Sequence, residues 1–132
     1  MKLEFLDDIS RGGHFKNVVS DTLVRLFDFD SNEASLFQQT IKKLIEDENE
    51  VHLDNLSFIN SINCSLTLSI DNMDLGIVKS GRAEFECKLT KESYREMVLL
   101  IQPFVDNDLS GYQWLYNNMA EIDFLFSPGG TW

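Results

Sequence analysis

Hydrophobic and polar positions change period along this chain, and each change marks an element. In "TLVRLFDF" (Thr22–Phe29) apolar residues fall on both faces of an extended segment, with Val24 and Leu26 on one and Leu23, Phe27 and Phe29 on the other. That pattern predicts an interior strand, or one covered on both sides. "DSNEASLFQQTIKKLIEDE" then places Ala34, Phe37, Ile41, Leu44 and Ile45 at helical spacing. Asp30 or Ser31 can cap this helix, and Asp30 with Glu33 has capping-box spacing. Gln38, Gln39, Lys42 and Lys43 are expected to face away from the core. The run "EDENE" ends the helix, where acidic side chains oppose the macrodipole and favour fraying.

From Val51 to Leu89 the period is two. "VHLDNLSFI" reads as a short strand leading into a turn at Asn60–Asn63. "CSLTLSI" sends Cys64, Leu66, Leu68 and Ile70 inward, "LGIV" resumes the sheet, and "KSGR" closes a hairpin. "AEFECKL" alternates again, with Ala83, Phe85, Cys87 and Leu89 inward, so the three strands are expected as an antiparallel meander. Thr90 caps a second helix, stapled by Leu89 and Tyr94, with Tyr94, Met97, Val98, Ile101 and Val105 as its buried stripe. Pro103 is expected to end that helix near Ile101 or to kink it. After the loop "DNDLSGYQW", "IDFLF" is a last strand with Ile122, Phe124 and Phe126 on one face. A short apolar piece around Leu3–Leu6 opens the chain. The sum is an α+β fold, one domain over residues 1–132, with a mostly antiparallel sheet of about five strands and two amphipathic helices packed against it.

Composition agrees with a folded domain: of 132 residues, 43% are hydrophobic and 25% charged, and ten are phenylalanine. That is enough core for a chain of this length to fold without a disulfide or a metal. Charge adds more. The net charge is −11, which disfavours nucleic acid and anionic membrane surfaces and favours a basic protein partner. "MKLEFLDDIS" is charged by its fourth residue, unlike a secretory leader, and no apolar run approaches the roughly 18 residues of a membrane span. Cys64 and Cys87 sit in strand-like runs and read as reduced, buried thiols of a cytoplasmic protein.

Candidate chemistry is sparse. Arg11, Gly12, Gly13 and His14 form a glycine-rich turn beside a cation, a candidate anion site that could extend to an enzyme with Asp7 or Asp8. Neither the Walker nor the Rossmann glycine pattern is complete there. His14 and His52 are the two histidines, and no Cys or His pair has zinc spacing. "DNDLSG" offers Asp106, Asp108 and Ser110 in the opening pattern of a calcium loop, but the twelfth position is Asn117. That leaves a weak, incomplete site, and no cofactor is implied. Paired acids such as Asp7-Asp8 fall mostly in turns and helix ends, where solvated carboxylates are ordinary.

Tyr112, Trp114 and Tyr116 alternate in "GYQWLYNNM", as one recognition surface or as a strand that closes the core. If they anchor a partner, Asp28, Asp30, Glu46, Asp47, Glu48, Asp106 and Asp108 are the acids that would steer it. In size, charge and lack of motif the chain is similar to compact bacterial proteins, among them the immunity proteins that neutralise a basic toxin nuclease. That likeness assigns no role to any residue. The sequence therefore predicts a non-enzymatic protein-interaction domain, with an anion-binding or enzymatic loop at Arg11–His14 and a calcium site at Asp106–Gly111 as alternatives. Pro128, Gly129 and Gly130 supply a stop and a reversal, so Trp132 is expected to fold back as a plug over a core edge.

Overall fold

A computed structural model describes residues 1–7, 22–116 and 122–129. Arg11–His14 and Trp132 lie outside those residues. Among the described residues nine strands, arranged as two mixed sheets, and two α-helices make an α+β fold. The first sheet has the expected five strands, in the order β4 (Asn60–Ser61), β1 (Lys2–Asp7), β2 (Thr22–Phe27), β9 (Asp123–Ser127), β8 (Gln113–Tyr116). A second sheet of four accompanies it, in the order β3 (Val51–His52), β5 (Ser65–Ile70), β7 (Glu84–Leu89), β6 (Gly76–Gly81). Antiparallel pairing joins β1 to β2, β3 to β5, β6 to β7 and β8 to β9, while β1–β4, β2–β9 and β5–β7 are parallel.

β2 is the interior strand its two-sided pattern implied. It lies between β1 and β9, with Val24 and Leu26 in the main core and Leu23 packed with Leu125 on the other face. β9 likewise is buried along its whole length. At the centre of the main core Phe126 contacts Phe29, Phe37 and Phe104, with ring centroids 4.1, 5.6 and 5.2 Å away.

Helix α1 (Ser31–Asp47) begins at the expected capping box. Asp30 Oδ1 accepts from Glu33 N–H at 2.8 Å, and Glu33 Oε1 accepts from Asp30 N–H at 3.3 Å. The other oxygen of Glu33 pairs with the Met1 ammonium. Glu48 closes the helix in the left-handed region, φ 58°, donating its N–H to Leu44 O. One helical position departs from expectation. Gln38 is buried, because α1 packs against α2 (Lys91–Val105) along the flank that carries it. Its amide donates to Val98 O at 3.0 Å and to Gln102 Oε1 at 2.9 Å, so the polar group is satisfied where it is buried.

Thr90 caps α2 as its sequence implied, accepting from Ser93 N–H at 3.2 Å. Pro103 neither ends this helix near Ile101 nor stops it before Val105. The N–H that proline lacks would have bonded Leu99 O, and Leu99 is 72% exposed, so that carbonyl can turn to water.

The expected meander is replaced by a crossover. β7, not β6, is the middle strand: β5 pairs with it in parallel, and β6 pairs with its other edge. Burial explains the order. β7 hides Phe85, Cys87 and Leu89, whereas β6 exposes Lys79 and Ser80, the behaviour of an edge strand. Residues 71–75 therefore pass around the end of β7, where Asp71 N–H donates to Leu89 O and Leu75 N–H to Lys88 O. Ala83, expected inward, instead sits in the β6–β7 turn at φ 59°, exposed.

Candidate functional site

The crossover places one acidic residue over the start of α2. Asp74, in the connection that rounds β7, accepts from Thr90 N–H (2.8 Å) and Thr90 Oγ1 (3.0 Å) through one oxygen, and from Ser93 Oγ (2.7 Å) through the other. Its burial acts to raise its pKa. The three donors outweigh that and hold the carboxyl below the usual carboxylate value. An anion at a helix N-terminus also gains from the macrodipole.

Asp74 opens onto a cleft of about 570 Å³ between α2 and β8. One wall is the first turns of α2, with Thr90, Glu92, Ser93, Glu96 and Leu100; the other is β8, with Gln113, Trp114, Leu115 and Tyr116. Glu92 and Glu96 are four residues apart, so they share the helix face that looks into the cleft. Among the described residues three carboxylates line the space, and no basic side chain does. Met73 and Leu75, either side of Asp74, are 62% and 45% exposed, so the acid at the rim stands between two solvated apolar side chains.

β8 carries Trp114 and Tyr116, and Tyr112 directly precedes it, but the three alternating aromatics do not share a face. Gln113 pairs with Phe126 and Trp114 with Leu125, and then the register slips, so that Tyr116 opposes Phe124. This bulge at Leu115 turns Tyr116 to the side of the main core. Tyr112 and Trp114 stay on the opposite face, in edge-to-face contact at 6.2 Å, with Trp114 packed against Leu23 and Leu125. Burial first, then the Asp74 and Cys87 charges, push the Tyr116 hydroxyl pKa up, in keeping with its place beside the cleft acid.

The other candidate acids have local partners. Asp28 pairs with Lys2 at 3.0 Å, Asp30 caps α1, and Asp106 accepts from Gln102 Nε2 at 3.1 Å. Asp108 Oδ1 accepts from Ser110 Oγ at 2.7 Å, so the calcium-like loop is an aspartate-closed turn with Gly111 at φ 73°. Among the described residues no three His, Cys, Asp or Glu side chains are grouped as a metal site would need. Asp106 and Asp108 follow the far end of α2, about 22 Å of helix from Asp74. Asp28 and Tyr112 share one end of the five-stranded sheet, because Phe27 pairs with Ser127 and Gln113 with Phe126. The acids proposed to steer a partner are thus scattered, and those that converge on the cleft are others: Asp74, Glu92 and Glu96.

His52 Nδ1 lies 2.9 Å from Thr67 Oγ1 and its Nε2 lies 3.4 Å from Glu50, on an exposed surface. Both cysteines are buried and free. Burial, then Asp54 and Glu4, raise the Cys64 thiol to about 11. Burial raises Cys87 to about 12, against a hydrogen bond from Tyr94. Cys87 pairs in register with Leu68, four residues beyond Cys64. The two are therefore about 13 Å apart along the sheet, too far for a disulfide.

No protein family, curated protein or solved structure matches this chain. No helix among the described residues is long and apolar enough to cross a membrane.

Proposed function

We propose that the chain is a protein-interaction domain whose α2–β8 cleft receives a basic group of a protein partner. One observation carries this reading: Asp74, Glu92 and Glu96 line a single cleft, and among the described residues no basic side chain joins them in its walls. The net charge of −11 favours a basic partner at longer range and speeds its approach. Tyr116 adds an aromatic wall beside the carboxylates, a setting that suits a lysine or arginine head. A second groove of about 430 Å³ beside the C-terminal end of α1 mixes Lys43 with Asp47 and Glu50 and offers no such single sign. Asp74 is held by three hydrogen bonds before any partner arrives, which lowers the ordering cost of binding. An inhibitor of a basic toxin fits this reading as its most specific form.

The test is titration of a labelled hexalysine peptide into isotopically labelled protein at low salt. Amide shifts should concentrate at Asp74, Thr90–Glu96 and Gln113–Tyr116, and should vanish in the E92Q/E96Q variant. Binding that the double variant leaves unchanged removes the reading.

A further inference from the structure

The groove of about 430 Å³ beside the C-terminal end of α1 differs from the acidic cleft in carrying both signs of charge. Thr40, Lys43, Leu44 and Asp47 form one wall, and offsets of three, four and seven residues put them on one stripe of the helix. The chain that leaves the helix forms the other wall, with Glu50, Val51 and Leu56. Leu44 is buried, and Val51 and Leu56 are half-buried against the main core, so the floor is aliphatic. Lys43, Asp47 and Glu50 are exposed, which sets their charged heads at the rim. This end of α1 favours a cation. Its last carbonyls carry the negative pole of the macrodipole, and no basic residue of its last turn offsets them. One ammonium already sits there, since Lys91 Nζ lies 3.2 Å from Glu48 Oε2. Asp47 and Glu50 line the groove at the same end, and Glu50 also lies 3.4 Å from His52 Nε2. Lys43 is one turn further back, a spacing of about 5–6 Å between Cβ atoms.

We infer that this groove binds a free α-amino acid with an aliphatic side chain. Lys43 takes the ligand's carboxylate, while Asp47 and Glu50 take its ammonium beside the last carbonyls of α1. Leu44, Val51 and Leu56 receive the side chain. Both charges of an α-amino acid sit on one carbon, so a site must offer a cation and an anion within a short span. A site of one sign attracts one end and repels the other. The stripe Lys43, Leu44, Asp47 supplies the cation, the apolar contact and the anion within little more than one helical turn. The volume falls near the small end of the roughly 300–1,000 Å³ range of small-molecule sites, which suits a ligand of this size. This inference is independent of the basic-partner reading, which rests on the α2–β8 cleft.

The test is titration of L-leucine into the whole isotopically labelled chain at low salt, beside three analogues. Leucinamide lacks the carboxylate, N-acetyl-leucine lacks the ammonium and glycine lacks the side chain. Leucine is expected to give saturable amide shifts concentrated at Thr40–Asp47 and Asn49–Leu56, and each analogue to bind at least tenfold more weakly. K43Q and D47N should each weaken leucine binding by tenfold or more, and K43R should keep most of it. Both positions are exposed, so an unchanged far-ultraviolet circular dichroism spectrum is expected to show that the variants are folded. No saturable shift with leucine at millimolar concentration overturns the inference. Leucinamide or N-acetyl-leucine binding as tightly as leucine overturns recognition of the paired charges, and glycine binding as tightly overturns the role of the aliphatic floor. Leucine binding that folded K43Q and D47N leave unchanged places the ligand elsewhere and overturns the site.

Discussion

The carboxylate of Asp74 accepts the backbone N–H of Thr90 at 2.8 Å, and this bond ties the crossover around β7 to the first turn of α2. Sixteen residues separate the two in sequence. They meet because residues 71–75 round the end of β7, the strand that runs directly into the Thr90 cap.

The bond makes a pH-dependent contribution to stability. The folded pKa of Asp74 is lowered, so the unfolded chain takes up the proton first as pH falls. The contribution is complete above the ordinary value of 3.8 and disappears as pH drops through the lower folded value. Asp74→Ala should cost about 1 kcal/mol at pH 7, the scale of a lost capping interaction. The gap in melting temperature between variant and wild type should narrow below about pH 4. A gap that stays constant from pH 7 to pH 3 contradicts this account.

Gln38 offers a test of the helix–helix contact. Its amide is buried and donates to Val98 O and Gln102 Oε1. Gln38→Ala removes that donor and leaves a cavity, and should destabilise by about 2–3 kcal/mol in urea unfolding. Gln38→Glu places a charge in the same site opposite two acceptors and should cost more. A change under about 0.5 kcal/mol for both variants would mean that this interface is loose and wet.

Much of the local structure was legible in the sequence, and the candidate site was not. The α1 capping box, the Thr90 cap, the two-sided burial of β2 and the alternation in β5 and β7 each depend on neighbours within a few residues. Periodicity reports such neighbours well. Strand order does not work that way. "LGIV" follows "CSLTLSI" so closely that a meander is the natural reading, yet the polar residues Lys79 and Ser80 mark β6 as an edge and leave the centre to β7. The wrong order hid the site, since a meander would carry Asp74 between adjacent strands and away from α2. The same limit applied to the aromatics. Period two put Tyr112, Trp114 and Tyr116 on one face, and a one-residue bulge, with no glycine or proline to signal it, moved Tyr116 to the other.

Thiol chemistry should be silent in the native state. With Cys64 near 11 and Cys87 near 12, the thiolate fraction at pH 8 is about one in a thousand and one in ten thousand. Both side chains are also buried. Ellman's reagent should modify neither at a rate approaching that of free cysteine, and Cys87 should be the slower. Oxidants should not join them within one chain, because their register holds them too far apart. Fast labelling of Cys87 in folded protein, read by peptide mass, would show that β7 opens readily.

The bulge at Leu115 divides the cost of losing the two tyrosines Tyr112, just before β8, and Tyr116, within it. Tyr112 is 46% exposed and touches Trp114 at its edge, so Tyr112→Ala should cost about 0.5 kcal/mol or less. Tyr116 is half-buried and packs against the main core, so Tyr116→Ala should cost about 2 kcal/mol. Tyr116→Phe keeps the ring and should restore most of that stability, while it removes the hydroxyl whose pKa burial, and then Asp74, raises. Ultraviolet titration of wild type against Tyr116→Phe then isolates one tyrosine that ionises later than ordinary. Equal costs for the two alanine variants, with no late-ionising component lost in Tyr116→Phe, would put both rings on one face. The regular alternation of "GYQWLY" would then hold, and Tyr116 would have no part in the cleft beside Asp74.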